Sequence, residues 1–306
     1  MSSSLIENTK ASVITHVSEL GFFLNQVSDM PSPGQILMVQ PTHYSIDYVI
    51  NPHMEGNEGT VDKKKALQEW GKIRDTFKSN GLKVQTIEGQ PGMPDMVFCA
   101  NQSLPYVDEN GNKKVIMSIM RSEHRKNEVP FIEQWYRQNG YQVIYIDPPG
   151  IESFEGMGDA IWHNKRRLLW GGYGYRTSSK AYDFISRTYN VPVITLELNN
   201  PFFYHLDTCF CILNEDTVLI YPKAFTRDSL DLVQAVFKNI IEADTKAAEQ
   251  NFACNATSDG TNVVIQKGSN EVKDKLKLLG FNVQEVETGE FIKSGGSVFC
   301  MKCVVW

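Results

Sequence analysis

The strongest constraint on the fold is a loose recurrence, at intervals of about 50 residues, of a strand, a loop or second strand, a helix and a returning strand. The first unit reads as a strand at 35–39, a helix over 62–80 and a strand at 83–87. The second has strands at 96–98 and 115–118, a helix over 129–138 and a return at 142–146. In the third, which starts near Asp159, 167–170 is a strand, 178–188 a helix and 193–198 the return. The fourth opens with a strand at 202–210 and continues through 217–221 into a helix over 229–240. The fifth runs through 252–256, 261–266, a helix over 270–279 and a strand at 282–286, and a last strand at 298–305 closes the chain. Five ββαβ-like units with a closing strand suggest one α/β domain, a ring of modules about a common centre. A doubly wound sheet is the alternative, and it fits less well because plain βαβ alternation has no paired strands ahead of each helix.

Ahead of this array, Leu5, Val13, Ile14, Val17, Leu20 and Leu24 stand at roughly helical spacing, so an amphipathic helix is expected over 1–30. Met30-Pro31-Ser32-Pro33-Gly34 then breaks it, which gives a helical extension and linker over 1–34 and the main domain over 35–306. Glu7, Glu19 and Asp29 argue against an organelle presequence. With no apolar run long enough to span a bilayer and no secretory signal, a cytoplasmic protein without membrane contact is expected. Acidic residues outnumber basic ones by 36 to 30, a formal charge of -6, so there is no cationic surplus to neutralise the phosphates of a nucleic acid. Six cysteines in 306 residues do not make a disulfide scaffold, and buried, reduced thiols are expected.

Polar residues collect where the units join. If 202–210 is a strand, His205, Asp207, Cys209 and Cys211 share one face. Such a row suits acid–base chemistry, a metal ion, or nothing more than a hydrogen-bonded core histidine; no other His-rich or Cys-rich segment completes a metal set. Cys300 follows Gly295-Gly296, where backbone can turn tightly and approach a ligand, and it is the thiol best placed to act as nucleophile. A free thiol with a pKa of about 8.5 is mostly protonated at neutral pH, so activation requires a cationic neighbour such as protonated His205 or a cationic substrate. Cys303 lies three residues on, which on a strand points it to the opposite side. Glu155, ahead of Gly156-Met157-Gly158-Asp159, is either a carboxylate presented by a turn or an ordinary surface residue. Arg125 and Arg176 are either solvated or forks for a substrate carboxylate. Neither Gly156-Met157-Gly158 nor Gly171-Gly172-Tyr173-Gly174 carries the Lys-Ser/Thr of a phosphate loop.

Taken in order, Glu155-Gly-x-Gly-Asp159, His205-x-Asp207 and Gly-Gly-x-x-x-Cys300 resemble the guanidino-group-modifying, or pentein, superfamily. Ile50-Asn51-Pro52, Pro94-Asp95-Met96-Val97-Phe98-x-Ala100-Asn101, Gly172-Tyr173-Gly174-Tyr175-Arg176 and the stretch from Phe203 to Cys211 look most like its arginine dihydrolase group, the guanidine-hydrolysing domain of cyanobacterial arginine-to-ornithine enzymes. The resemblance runs from about Gln35 to the end and implies a five-bladed α/β propeller around a central active site. It implies that Cys300 attacks a guanidinium carbon and that His205 protonates departing ammonia and then activates water. By the same resemblance Glu155 and Asp207 hold the guanidinium, and Arg125 and Arg176 take the α-carboxylate. Deiminases and dimethylarginine hydrolases place a carboxylate at position 101. The dihydrolase group has asparagine, as here, and Asn51 and Asn101 together suggest that citrulline is kept for a second attack that gives ornithine, ammonia and carbon dioxide. No cofactor and no metal are implied, the partner is arginine or a related guanidine, and a homo-oligomer is compatible. The chain departs from the group at Ile119 and Met120, at His124, at Lys126-Asn127 and in the bulkier Lys293-Ser294, which bears on substrate choice; a second, ornithine-handling domain is not expected after Trp306. An arginine deiminase, a dimethylarginine hydrolase, an amidinotransferase and a non-catalytic guanidine-binding protein are the competing readings.

Overall fold

The computed structural model describes residues 10–306, which hold five separate sheets. Each is built on the same plan. In the simplest, β4 (Ser103–Val107) pairs antiparallel with β5 (Lys113–Met117), and a helix (Val129–Gln138) leads to β6 (Gln142–Ile144), parallel to β5. The hairpin between β4 and β5 is set by Asp108, whose Oδ1 accepts from the Asn110 and Asn112 amides at 3.0 and 2.9 Å, with Gly111 at φ 81°. An Asx turn followed by a left-handed glycine reverses the chain without strain.

The plan repeats in β7 (Ala160–Trp162), β8 (Leu169–Tyr173) and β9 (Pro192–Glu197), and again in β10 (Phe210–Ile212), β11 (Thr217–Ile220) and β12 (Asn239–Glu242). It recurs in β13 (Thr257–Ser258), β14 (Asn262–Gln266) and β15 (Asn282–Val286). The fifth sheet joins the chain's two ends: β16 (Cys303–Val305) lies antiparallel to β2 (Gln35–Val39), which pairs in parallel with β3 (Lys83–Ile87). The sequence recurrence is therefore real, and its closing strand completes the first unit. Helices pack on these sheets through buried aromatics. Gly171 on β8 has no side chain because a Cβ would come within 2.5 Å of the Tyr182 ring, and the Tyr182 hydroxyl donates to the Asp159 and Gly172 carbonyls at 3.0 and 2.6 Å.

Several expected elements are corrected. The helix expected over 1–30 is absent from its described part: Ser12–Ile14 forms β1, parallel to β9, and two 3₁₀ turns follow at Val17–Glu19 and Leu24–Gln26. Leu5 lies outside the described residues. Here the β-branched Val13-Ile14 pair took an open strand edge, a tertiary contact that outweighed the helical spacing. The segment 96–98 is a 3₁₀ turn at Pro94–Val97, and the strand 202–210 is a loop in which His205 caps a 3₁₀ turn at Leu206–Thr208. The expected face shared by His205, Asp207, Cys209 and Cys211 therefore does not exist; their aromatic surroundings reflect burial, not a pleat. The helix placed over 229–240 ends at Val236, and 239–242 is a strand; the first strand of the fifth unit is 257–258, not 252–256, and the last strand covers only 303–305.

The corrections at 96–98, 202–210, 252–256 and 298–305 share one cause. In these modules the residues expected on the first strand lie wholly or mostly in an irregular lead-in just before it. Because first and second strands run antiparallel, the start of one and the end of the other meet at the same end of the sheet, as Ser103 opposite Met117 and Ala160 opposite Gly171 show. The chemistry gathers at that end, and the hairpins lie at the other.

Candidate active site

Each of the five lead-ins delivers polar side chains: Asn101 before β4, Glu155 and Asp159 before β7, His205 and Asp207 before β10, Asn255 before β13 and Cys300 before β16. The exits from three second strands add Asn51, Arg125 and Arg176. All of these are buried. Asn51, Asn101, Arg125, Arg176, His205 and Cys300 line one narrow cleft of about 10 Å³, together with Asp95 and Tyr204.

Cys300 Sγ lies 3.1 Å from Asp207 Oδ2 and accepts from Asn255 Nδ2 at 3.1 Å. Asn255 does more: its Oδ1 accepts from the Ser297, Phe299 and Cys300 amides at 3.0, 3.2 and 3.3 Å, and its Nδ2 also reaches the Asp207 carbonyl at 2.9 Å. One amide side chain thus fixes the loop that carries the thiol. Burial, and then the Asp207 carboxylate, push the Cys300 thiol well above its usual pKa, so it rests protonated. Burial pushes Asp207 up to about 7, against hydrogen bonds from Cys300 and Asn255 and the charge of Lys302. Its second oxygen, Oδ1, is buried without a partner. A cation placed between thiol and carboxylate would relieve both at once.

Opposite, His205 Nε2 meets Glu155 Oε2 at 2.7 Å. Burial would raise the Glu155 carboxyl, but the Arg176 charge and the His205 contact override it and hold it down at about 2. Glu155 is therefore ionised and able to orient and stabilise an imidazolium, the requirement for a proton carrier. Its Oε1 is anchored by the Arg121 amide at 3.0 Å. Asp159, once considered beside Glu155, plays a framing part: its oxygens accept from the Thr177 hydroxyl at 2.7 Å and the Leu206 amide at 3.0 Å.

Neither arginine is solvated. Arg176 donates to Glu155 Oε2 at 3.2 Å and to the Ile50 carbonyl at 2.7 Å, and lies over the Tyr204 ring at 4.8 Å. Arg125 donates to Glu128, to the Asp95 and Phe98 carbonyls, and to Asn101 Oδ1 at 2.9 Å. That last bond turns Asn101 Nδ2 the other way, toward Gly158 and His205, where it is buried without a partner. Asn51 serves the loop ahead of Cys300, donating to the Ser294 carbonyl at 3.0 Å. The loop comes so near that a Cβ on Gly295, at φ +80°, would meet the Tyr204 hydroxyl at 2.7 Å and Asn51 Oδ1 at 2.9 Å. Sequence reasoning passed over Asp95, whose Oδ2 accepts from the Tyr48 hydroxyl at 2.9 Å while Oδ1 faces no partner, and Asn255. Asn255 was findable, since it occupies the lead-in of the fifth module just as His205 does in the fourth.

A buried thiol, a histidine held by a carboxylate and further carboxylates thus meet at one end of five like modules. The chain belongs to the family described as "N,N dimethylarginine dimethylhydrolase, eukaryotic", whose model matches residues 38–305. Among individual relatives it is 37% identical over 270 residues to the bifunctional arginine dihydrolase/ornithine cyclodeaminase ArgZ of Synechocystis sp., covering 87% of this chain and 37% of that one. The chain thus spans well under half of that relative's length. It is 32% identical over 270 residues to the N(G),N(G)-dimethylarginine dimethylaminohydrolase of Mycobacterium tuberculosis, covering 88% and 85% of the two chains. The substrate-bound N-terminal domain of ArgZ superposes with a TM-score of 0.83 at 35% identity, covering 88% of this chain and 97% of that one.

Proposed function

We propose that this chain hydrolyses the guanidinium group of arginine through a covalent intermediate on Cys300, and that it carries the reaction through citrulline to ornithine. Supporting this is the pairing across the cleft of a thiol held between Asp207 and Asn255 with a histidine held by ionised Glu155. The substrate cation between Asp207 and Glu155 favours the thiolate, Cys300 passes its proton to His205, and the thiolate attacks the guanidinium carbon. His205 delivers a proton to the leaving nitrogen, ammonia departs and an amidino-thioether remains. His205 then takes a proton from water, which attacks the same carbon and expels the thiolate, leaving citrulline. A second attack on the ureido carbon releases a second ammonia and leaves a thiocarbamate on Cys300, whose hydrolysis frees the thiol and yields carbon dioxide and ornithine. Two waters are consumed per arginine. Arg125 and Arg176, at the cleft wall, take the α-carboxylate.

The second round is favoured by Asn101. An amide there leaves one fewer anion beside the substrate than a carboxylate would, and its unpartnered Nδ2 offers a donor to the neutral ureido oxygen. The family assignment and the mycobacterial relative favour a second reading, hydrolysis of dimethylarginine. Incubating purified protein separately with arginine and with dimethylarginine and separating the products decides between them. Ornithine from arginine is expected; citrulline accumulating without ornithine overturns the dihydrolase reading.

We also read the five sheets as blades of an α/β propeller, with 35–306 as the catalytic domain and 1–34 as an extension whose β1 widens one blade. In favour is that the lead-ins of three sheets line one cleft, while those of the other two bond through Glu155 and Asn255 to His205 and Cys300 in it. The six cysteines are all free and buried, which fits a thiol enzyme working in a reducing compartment such as the cytoplasm. Among the described residues no helix is long and apolar enough to cross a membrane.

A further inference from the structure

A second cavity of about 140 Å³ is lined both by hairpin-end residues such as Trp162 and Asn164 and by lead-in residues such as Met157, Phe299 and Lys302. It shares no residue with the cleft that holds Cys300 and His205. Its wall is largely apolar, with Ile36, Phe77, Ile161, Trp162 and Trp306 contributing. Lys302 also lines it and is 2% exposed. Its ammonium lies 3.5 Å from the centroid of the Phe299 ring and, among the described residues, forms no salt bridge and no hydrogen bond, although the Asp207 charge acts on it. Two further polar atoms at this wall, Thr257 Oγ1 and Asn164 Oδ1, are buried without partners. Leaving such groups unsatisfied costs about 1–3 kcal/mol for each neutral group and more for a charge. Burial lowers the Lys302 pKa to about 8, so at neutral pH it is still mostly an ammonium.

We propose that this cavity is a second binding site, for a small carboxylate with a compact apolar body. The carboxylate pairs with Lys302 and accepts from the Thr257 hydroxyl, and the apolar body fills the remainder against the two tryptophans. A cavity of roughly 150 Å³ suffices for benzene, so benzoate, whose head extends toward Lys302, is a suitable probe. The site does not rest on the reaction proposed for Cys300, although Lys302 and Asp207 feel each other's charge.

The experiment is calorimetric titration of the full chain with benzoate and, separately, with benzamide, with tryptophan fluorescence as a second signal. One benzoate per chain is expected, with benzamide at least about tenfold weaker because a charged partner contributes roughly twice a neutral hydrogen bond. Lys302→Met should weaken benzoate by about tenfold or more, and Ala256→Leu, which fills the cavity, should abolish binding; Arg176→Gln should retain it. Absence of benzoate binding, or equal affinity for benzamide, overturns the proposal on the wild-type protein alone. Loss of binding in Arg176→Gln with retention in Lys302→Met also overturns it, by placing benzoate in the other cleft.

Discussion

Two buried regions of the molecule treat charge in opposite ways. At the lead-in end, carboxylates, guanidinium groups and imidazole are interlocked: Glu155 serves Arg176 and His205, and Arg125 is held by Glu128. On the far side of the β16 lead-in a single ammonium, Lys302, sits against the Phe299 ring with no ion pair among the described residues, the Asp207 charge acting on it without contact. A paired charge is expensive to break, because removal of one partner strands the other, whereas an unpaired one is a cost that its removal relieves. The same scaffold thus carries one region organised for chemistry and another in which an unmet charge awaits a partner.

The sharpest way to break this contrast is at the nucleophile. Cys300→Ala should reduce ammonia release from arginine by about 10⁴-fold or more, since a covalent route cannot proceed without its thiol; the ammonia assay that shows a smaller loss removes Cys300 from the mechanism. His205→Gln should cost about 10²–10⁴-fold in kcat, the usual range for a positioned acid–base group. Glu155→Gln should lower unfolding stability in denaturant by about 3–5 kcal/mol, because Arg176 and His205 lose their shared anion. Activity on arginine should fall as pH drops through about 7, where Asp207 takes up a proton and no longer attracts a cation. The pH profile of kcat/KM in Asp207→Asn should lack that limb. The smallest effect is expected in the other region. Lys302→Met should raise the melting temperature at pH 7 by a few degrees, since it removes a buried charge while keeping much of the volume. The folded-state pKa of Lys302 is depressed to about 8, so the unfolded chain binds the extra proton between there and about 10.4, and wild-type stability should gain from this group as pH rises through that window. The melting-temperature difference between the two proteins should shrink accordingly.

The repeat, the five long helices within it and the closing strand were legible because they rest on apolar periodicity, which burial enforces locally. His205, Glu155 and Cys300, which stood out as polar side chains in apolar surroundings, do come together in one buried cluster. Their backbone was not legible. His205 and Cys300 sit in tight irregular turns whose aromatic neighbours imitate a strand, and only the three-dimensional packing shows that these neighbours fill space around a loop. Ser12–Ile14 failed for a different reason: which strand edge is open is a property of the finished sheet and leaves no mark in the local sequence. Asn255 escaped because an amide among small residues carries no signal until the module repeat is used to ask what occupies its position.

The most direct test of the account is acid quenching of the enzyme during turnover of arginine, followed by mass mapping of its six cysteines. An adduct on Cys300 alone, with Cys303 and the other thiols unmodified, is the predicted result. An adduct on any other cysteine, or turnover that continues in Cys300→Ser without one, would contradict it.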